Sequence, residues 1–220
     1  MTHPKIRKSN AVSVSFSRPS TNKRGVSRIA EYEWLANSIQ QVEEMQIRPF
    51  SSPEDYELMV DYFHKGDDLF LRGMGVDRAK LPERAAWIDA LLIDYEQPDN
   101  ARDRFYLLWI LCGCRVGHSS INKIVPGTEA FIHLHLWNPQ LRRGGLGTEF
   151  VRKSATFYFE RFDLKKIVCE PSAANPAPNR VLEKLGFEFV RRYKTIPTEI
   201  AYEQEVNRYE LKRPESNPRG

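Results

Sequence analysis

At 220 residues, 41% hydrophobic and 28% charged, the chain has the composition of a soluble globular domain with some extension. No apolar run is long enough to span a membrane, the start has no signal-peptide apolar core, and three cysteines do not make a disulfide framework, so a cytoplasmic protein is expected. The net charge of +4 is uneven: residues 1–30 hold seven Lys/Arg and no Asp/Glu, which leaves 26 basic against 29 acidic groups elsewhere. The basic balance belongs to this leader, which reads as a poorly ordered tail ahead of an arm for nucleic acid or an acidic partner. No nucleic-acid or membrane partner is expected.

In chain order, residues 12–17 alternate Val12, Val14 and Phe16 with serines, the pattern of a short strand. Ile29, Tyr32, Leu35, Ile39 and Val42 recur at helical spacing, which predicts a helix over 26–44. Residues 1–44 are therefore set apart as a basic N-terminal extension, 45–213 as the main domain and 214–220 as a polar tail. Residues 46–50 alternate and fit an opening strand. Ser52-Pro53 is a good N-cap and first-turn pair, followed by Leu58, Met59, Tyr62 and Phe63 on one face. Leu81-Pro82 opens another helix, with Trp87, Leu91 and Leu92 as its apolar face. Residues 104–111 and 115–124 read as a hairpin around Gly113. A strand over 130–137 is followed by a helix over 148–162, whose stripe of Val151, Ala155, Tyr158 and Phe162 is core. A strand over 165–170, a short helix over 179–185 and strands over 187–194 and 205–212 complete the chain. This order gives an α/β (α+β) sandwich: one mixed, mostly antiparallel central sheet flanked by helices.

The most informative stretch is Arg142-Arg143-Gly144-Gly145-Leu146-Gly147, between a strand and a helix. Glycines let the backbone approach a ligand closely. The first N–H groups of a helix have no intrahelical partner and sit at the positive end of its dipole, and two arginines add donors for a phosphate. Spacing rules out two standard phosphate loops. No Gly-Lys-Ser/Thr is present for a P-loop, and a dinucleotide fingerprint starting at Gly145 would need glycine at Phe150. What does fit is Arg-x-x-Gly-x-Gly, as Arg142, Gly145 and Gly147.

That pattern resembles the pyrophosphate-binding signature of the GNAT superfamily of acyl-CoA-dependent N-acyltransferases. Asn175-Pro176-Ala177-Pro178-Asn179-Arg180-Val181-Leu182-Glu183-Lys184-Leu185-Gly186-Phe187 resembles the family's second signature, an Asn ahead of a short helix ending in Lys-x-Gly-Phe. Gly117-His118 resembles the start of its third strand. The likeness runs from about Gln46 to Arg213 and leans toward the ribosomal-protein alanine and siderophore lysine acetyltransferase branches. It implies transfer of an acetyl group from acetyl-CoA, as co-substrate, to a primary amine by direct attack on the thioester. By the same resemblance, the pyrophosphate lies on the N–H groups of 143–148, near Arg142 and Arg143, through Gly144, Gly145, Leu146, Gly147 and Thr148. The pantetheine arm pairs with Leu136, Trp137 and Asn138, and an N–H near Trp137 polarises the carbonyl. Asn175 and Asn179 line the other side. Many members carry a Tyr where this chain has Leu182, so the general acid is unassigned, with Ser172 a weak substitute.

Two residues are candidates for the amine's proton. Glu170 ends the strand before Pro171, where the family's strands splay, and a carboxylate there can take a proton; the alternative is a Glu paired with a nearby Arg. His133, in His-Leu-x-Leu, resembles an acceptor-facing His of siderophore-type enzymes and titrates near neutrality when free; the alternative is a satisfied core histidine. His133 and His135 point the same way from a strand and with His118 could ligate a metal, and Gly127, six residues before His133, copies the start of a cupin metal motif. Gln140 stands where that motif needs a carboxylate, and the predicted helices oppose an all-β fold; no metal is expected. Cys112, Cys114 and Cys169 read as small buried hydrophobes. A second function class stays open, a module that holds acyl-CoA without turnover, or a scaffold. The acceptor is a small-molecule or peptide amine of unassigned identity, and the oligomeric state is open, with a dimer among the options.

Overall fold

The computed structural model describes residues 45–99, 101–142 and 145–214. The strand expected at 12–17 and the helix expected at 26–44 lie outside the described residues. Among the described residues, seven strands form one sheet in the order β1-β2-β3-β4-β5-β7-β6. They are β1 (Met45–Pro49), β2 (Arg104–Leu111), β3 (Cys114–Val125), β4 (Glu129–Leu136), β5 (Lys166–Cys169), β6 (Glu188–Thr195) and β7 (Gln204–Lys212). Every pairing is antiparallel except β4 with β5, which is parallel. The crossover that a parallel pair requires is α4 (Leu146–Arg161). The other helices are α1 (Pro53–His64), α2 (Asp68–Met74), α3 (Arg84–Tyr95) and α5 (Pro176–Lys184).

Period-two alternation sorts the sheet's side chains to two faces. Phe105, Leu107, Ile121, Ala130 and Ile132 pack with Ala155, Tyr158 and Phe159 of α4 and Leu182 of α5. Tyr106 and Leu108 pack on the opposite face, with Tyr56, Met59, Val60 and Phe63 of α1 and Ile88 and Leu91 of α3. The expected stripe of α4 is buried throughout, at Val151, Ala155, Tyr158 and Phe162. Polar contacts lock this helix to the sheet. Trp109 Nε1 donates to Ser154 Oγ (2.9 Å), and Ser119 Oγ lies 2.9 Å from Ser154 Oγ and 3.0 Å from Tyr158 Oη.

Three details differ from the sequence reading. Helix α2 was not anticipated; it is seven residues long and is closed at its start by the Asp67 carboxylate. Helix α3 begins at Arg84 instead of at Pro82, because the Glu83 side chain caps it by accepting from Ala85 N and Ala86 N. Cys112 and Cys114 are exposed, not buried, because Cys112 lies in the two-residue turn of the β2–β3 hairpin and Cys114 directly follows it; only Cys169 of the three is buried.

Candidate active site

Strands β4 and β5 pair at only three positions, Glu129↔Lys166, Ala130↔Ile167 and Phe131↔Val168. Beyond these the strands part. β4 runs on to Leu136, while β5 ends at Cys169, which pairs with Tyr209 of β7. The Cys169 thiol still reaches Ile132 O (3.4 Å) at the fork. A cavity of about 400 Å³ opens at this fork and extends under α1 and α3, lined by Ile132, His133, Cys169, Glu170, Asn175 and Trp87 among others.

The glycine loop leads from β4 to α4. A short 3-10 turn, Pro139–Leu141, is capped by Asn138, whose Oδ1 accepts from Gln140 N (2.9 Å). Arg142 follows, its guanidinium 5.7 Å from the Phe70 ring centre and 3.5 Å from Leu136 O. Arg143 and Gly144 lie outside the described residues. Gly145 is the N-cap of α4, at φ 83°, and no side chain caps the helix. Thr148 N and Glu149 N both bond Gly145 O. Among the described residues, the 16-residue helix that follows β4 in the chain thus starts without a side-chain cap, at the positive end of its dipole.

Asn175 and Asn179 behave differently from each other. Asn175 caps α5 through Ala177 N (3.3 Å), donates to Gly73 O (3.2 Å) and borders the cavity. Asn179 is buried, and its amide is fully engaged. Its Nδ2 donates to Ser172 O (3.0 Å) and Asn175 O (2.6 Å), and its Oδ1 accepts from Asn207 (2.7 Å). It holds the turn ahead of α5 and does not line the cavity. Leu182 lies fully buried in the core, so the position of the family's tyrosine is filled here by a packing residue.

Glu170 Oε1 accepts from Tyr193 Oη (2.5 Å) and from Arg208 Nη1 (3.1 Å). Burial and the adjacent carboxylate push the Tyr193 hydroxyl above its ordinary pKa. The sequence offered an Arg partner as the alternative for Glu170 but could name neither Arg208 nor Tyr193, because they sit on β7 and β6 and reach Glu170 only through sheet order. The carboxylate is thus an ion-paired side chain that also lines the cavity.

The cavity floor is polar. On β3 it presents His118, Ser120 and Asn122; on β4, His133 and His135. Register places His118 beside His135 and Ser120 beside His133. The rings of His118 and His135 stack with centres 4.7 Å apart and planes 15° apart. Trp137 Nε1 donates to His118 Nδ1 (2.8 Å), which turns the indole toward α1 and the histidines. His133 Nε2 lies 3.0 Å from Asn122 Oδ1. His133 and His135 are half-buried and line the cavity, and desolvation lowers both: His133 to about 4, with Arg104 and Lys123 adding, and His135 to about 3, with His133 adding. His118 is lowered well below its usual value by burial and by the other two histidines. All three are neutral imidazoles at pH 7. Among the described residues no group of three or more His, Cys, Asp or Glu is placed to hold a metal. Helices α4 and α5 also exclude the all-β cupin alternative.

The acetyltransferase (GNAT) domain matches residues 44–188 of the chain. No curated protein matches it. Among solved structures, the ribosomal-protein-S5-alanine acetyltransferase from Vibrio fischeri superposes with a TM-score of 0.64 at 18% identity, covering 80% of this chain and 96% of its own. A ribosomal L7/L12 alpha-N-protein acetyltransferase in complex with coenzyme A gives 0.62 at 17% identity, over 77% of this chain and 94% of its own. The spermidine N-acetyltransferase from Vibrio cholerae in complex with CoA and spermine gives 0.62 at 13% identity, over 77% and 96%. At these identities the likeness is one of fold, and the domain match extends it to family. The chain belongs to the GNAT acetyltransferase family and is an N-acetyltransferase, moving an acetyl group from acetyl-CoA to an amine.

Proposed function

We propose that the α4 terminus holds the pyrophosphate of acetyl-CoA, that the fork between β4 and β5 receives the acetyl group, and that the cavity on the α1 face receives the amine. The observation that carries this reading is the fork, with one cavity joining Ile132 and Cys169 to Glu170 and His133. The residues fit the group. The N-cap is a glycine without a competing side chain, and an open helix terminus is an anion site. Leu146 and Gly147 supply the nearest N–H groups, since Thr148 N is bonded to Gly145 O. Arg142, and Arg143 beside it in sequence, supply charge. Asn175 borders the path of the arm, and Asn179 acts through the turn it holds.

Acetyl-CoA supplies an activated acyl thioester, and the chain's own residues orient and deprotonate the amine. Glu170 is the proposed base. Its Oε1 is held by Tyr193 and Arg208, which aims the carboxyl at the cavity. His133, depressed to about 4, is a poor proton acceptor at neutral pH and is assigned to positioning the acceptor through the Asn122 contact. Just beyond β4, Trp137 N is bonded to Val116 O (2.9 Å), so a carbonyl-polarising N–H must come from a neighbour of Trp137. The thiol leaving group, with a pKa of about 8.5, departs tolerably without an acid, consistent with Leu182 in the core.

Glu170→Gln keeps the hydrogen-bonding shape and removes the basicity. Its kcat/KM is expected to fall by ~10²–10⁴ with acetyl-CoA affinity unchanged, and His133→Ala is expected to lose less. A dead His133→Ala beside a near-normal Glu170→Gln would reverse the two roles. If both are near normal, deprotonation occurs in solvent and the site works by positioning.

A further inference from the structure

The cavity floor carries information about the amine itself. Two carboxylates line the cavity, and each is already paired: Glu170 with Arg208 (3.1 Å) and Glu199 with Arg104 (2.8 Å). The hydrogen bonds within the floor join Trp137 to His118 and His133 to Asn122. Among the described residues these leave the Ser120 hydroxyl and the His135 ring without a side-chain hydrogen bond, and neither is sealed away from the cavity. Above them lie Phe63 of α1, its ring 5.2 Å from that of His135, and Trp87 of α3. Among the described residues, the cavity thus offers neutral donors and acceptors beneath an aromatic roof, and each carboxylate that lines it is already ion-paired.

Such a lining discriminates between amines. A buried cation without a partner is strongly disfavoured, and both carboxylates that line the cavity among the described residues are already taken by arginines. A polyamine or a lysine side chain has an amine pKa near ~10.4, an α-amino group ~7.7–8.0, so the weaker base presents roughly 300-fold more neutral amine at pH 7. Each further ammonium of a polyamine would need a carboxylate of its own. Groups that draw electrons from the amine, hydroxyl or carbonyl on the neighbouring carbons, are also the groups that Ser120 and His135 can bond.

We infer that the acceptor is a weakly basic primary amine flanked by hydroxyl or carbonyl groups, bound over Ser120 and His135, and not a polyamine or a lysine side chain. This rests on reading the cavity as the amine site. The test uses the full chain and follows free thiol from acetyl-CoA at pH 7 with four probes: glucosamine, an alanine-led tetrapeptide, spermidine and Nα-acetyl-lysine methylamide. One of the first two is expected to exceed both of the others in kcat/KM by at least about tenfold, and which of them does so separates a sugar-like source from a peptide one. His135→Phe, which keeps the ring stacking, is expected to raise KM for that probe about tenfold with little change in kcat. His135→Gln, which restores hydrogen bonding, is expected to recover most of it. Spermidine or the lysine derivative ranking first, or acetyl-CoA bound with no probe turned over, overturns this inference alone. Absence of acetyl-CoA binding in calorimetry overturns the reading beneath it.

Discussion

Gly145 sits at φ 83° as the N-cap of α4, a conformation that costs a β-branched residue dearly. Nothing in the protein lies within 4 Å of a Cβ built there, so Gly145→Val does not clash with the fold. It strains the loop and places methyl groups where the backbone must meet a phosphate. Acetyl-CoA binding in calorimetry is expected to vanish while circular dichroism stays native; undiminished affinity in a folded variant would contradict the assignment of the loop. Gly117 is required for another reason. A Cβ there would stand 2.4 Å from His135 O and 2.9 Å from the Trp109 ring. Gly117→Ala must therefore push β3 from β4 at the point where His118 and His135 stack, and is expected to lower stability by about 1–3 kcal/mol or more, read from urea denaturation.

At the scale of elements, α1 roofs the cavity and is tied to the sheet by one buried carboxylate. Asp55 accepts from Arg48 Nη1 (2.6 Å) and Nη2 (3.0 Å) and from Ser51 N (3.1 Å), and Arg115 Nε is 3.6 Å away. Burial alone would raise its pKa; Arg48 and the Ser51 N–H outweigh burial and hold it below the usual range. Asp55→Ala leaves Arg48 and Arg115 without their acceptor. Loss of a buried partner costs ~3–5 kcal/mol, and since Arg48 is one-third exposed at 34%, the low end, about 3 kcal/mol, is expected from chemical denaturation. Other elements differ in how readily the sequence announced them. Strands and the stripe of α4 were legible because alternation and helical spacing are local. The Arg142–Gly147 loop and Asn175 were legible for the same reason. Helix α2 was not, since seven residues carry too little period and its packing is tertiary. The polar floor was only half legible. Period two put His133 and His135 on one face, but their meeting with His118, Ser120 and Asn122 depends on the β3–β4 register, and the Tyr193 and Arg208 contacts to Glu170 depend on where β6 and β7 fall in the sheet.

For the whole molecule, the histidines of the cavity floor set the response to acid. Unfolded, each takes up a proton near pH 6.5; folded, His133 waits until about 4 and His135 until about 3. Their folded pKa values are depressed, so stability is full above about pH 7 and is lost as the pH falls from about 6.5 toward 4. The slope is up to ~1.4 kcal/mol per pH unit for each histidine, and Asp55 adds its loss only below the ordinary aspartate range. Denaturation midpoints at pH 7.5, 6 and 5 check this; a flat profile would mean that the floor histidines are solvated, and His135→Phe should shallow the slope. The same enclosed floor, the fork and the open helix terminus together make the central claim, that cofactor and amine meet between β4 and β5. Diffraction from crystals of the protein grown with coenzyme A tests it most directly. Pyrophosphate density is expected on the N–H groups at the start of α4, with the pantetheine arm running along β4 beyond Phe131 toward Glu170. A cofactor bound elsewhere, or a fork closed by continued β4–β5 pairing, would contradict it.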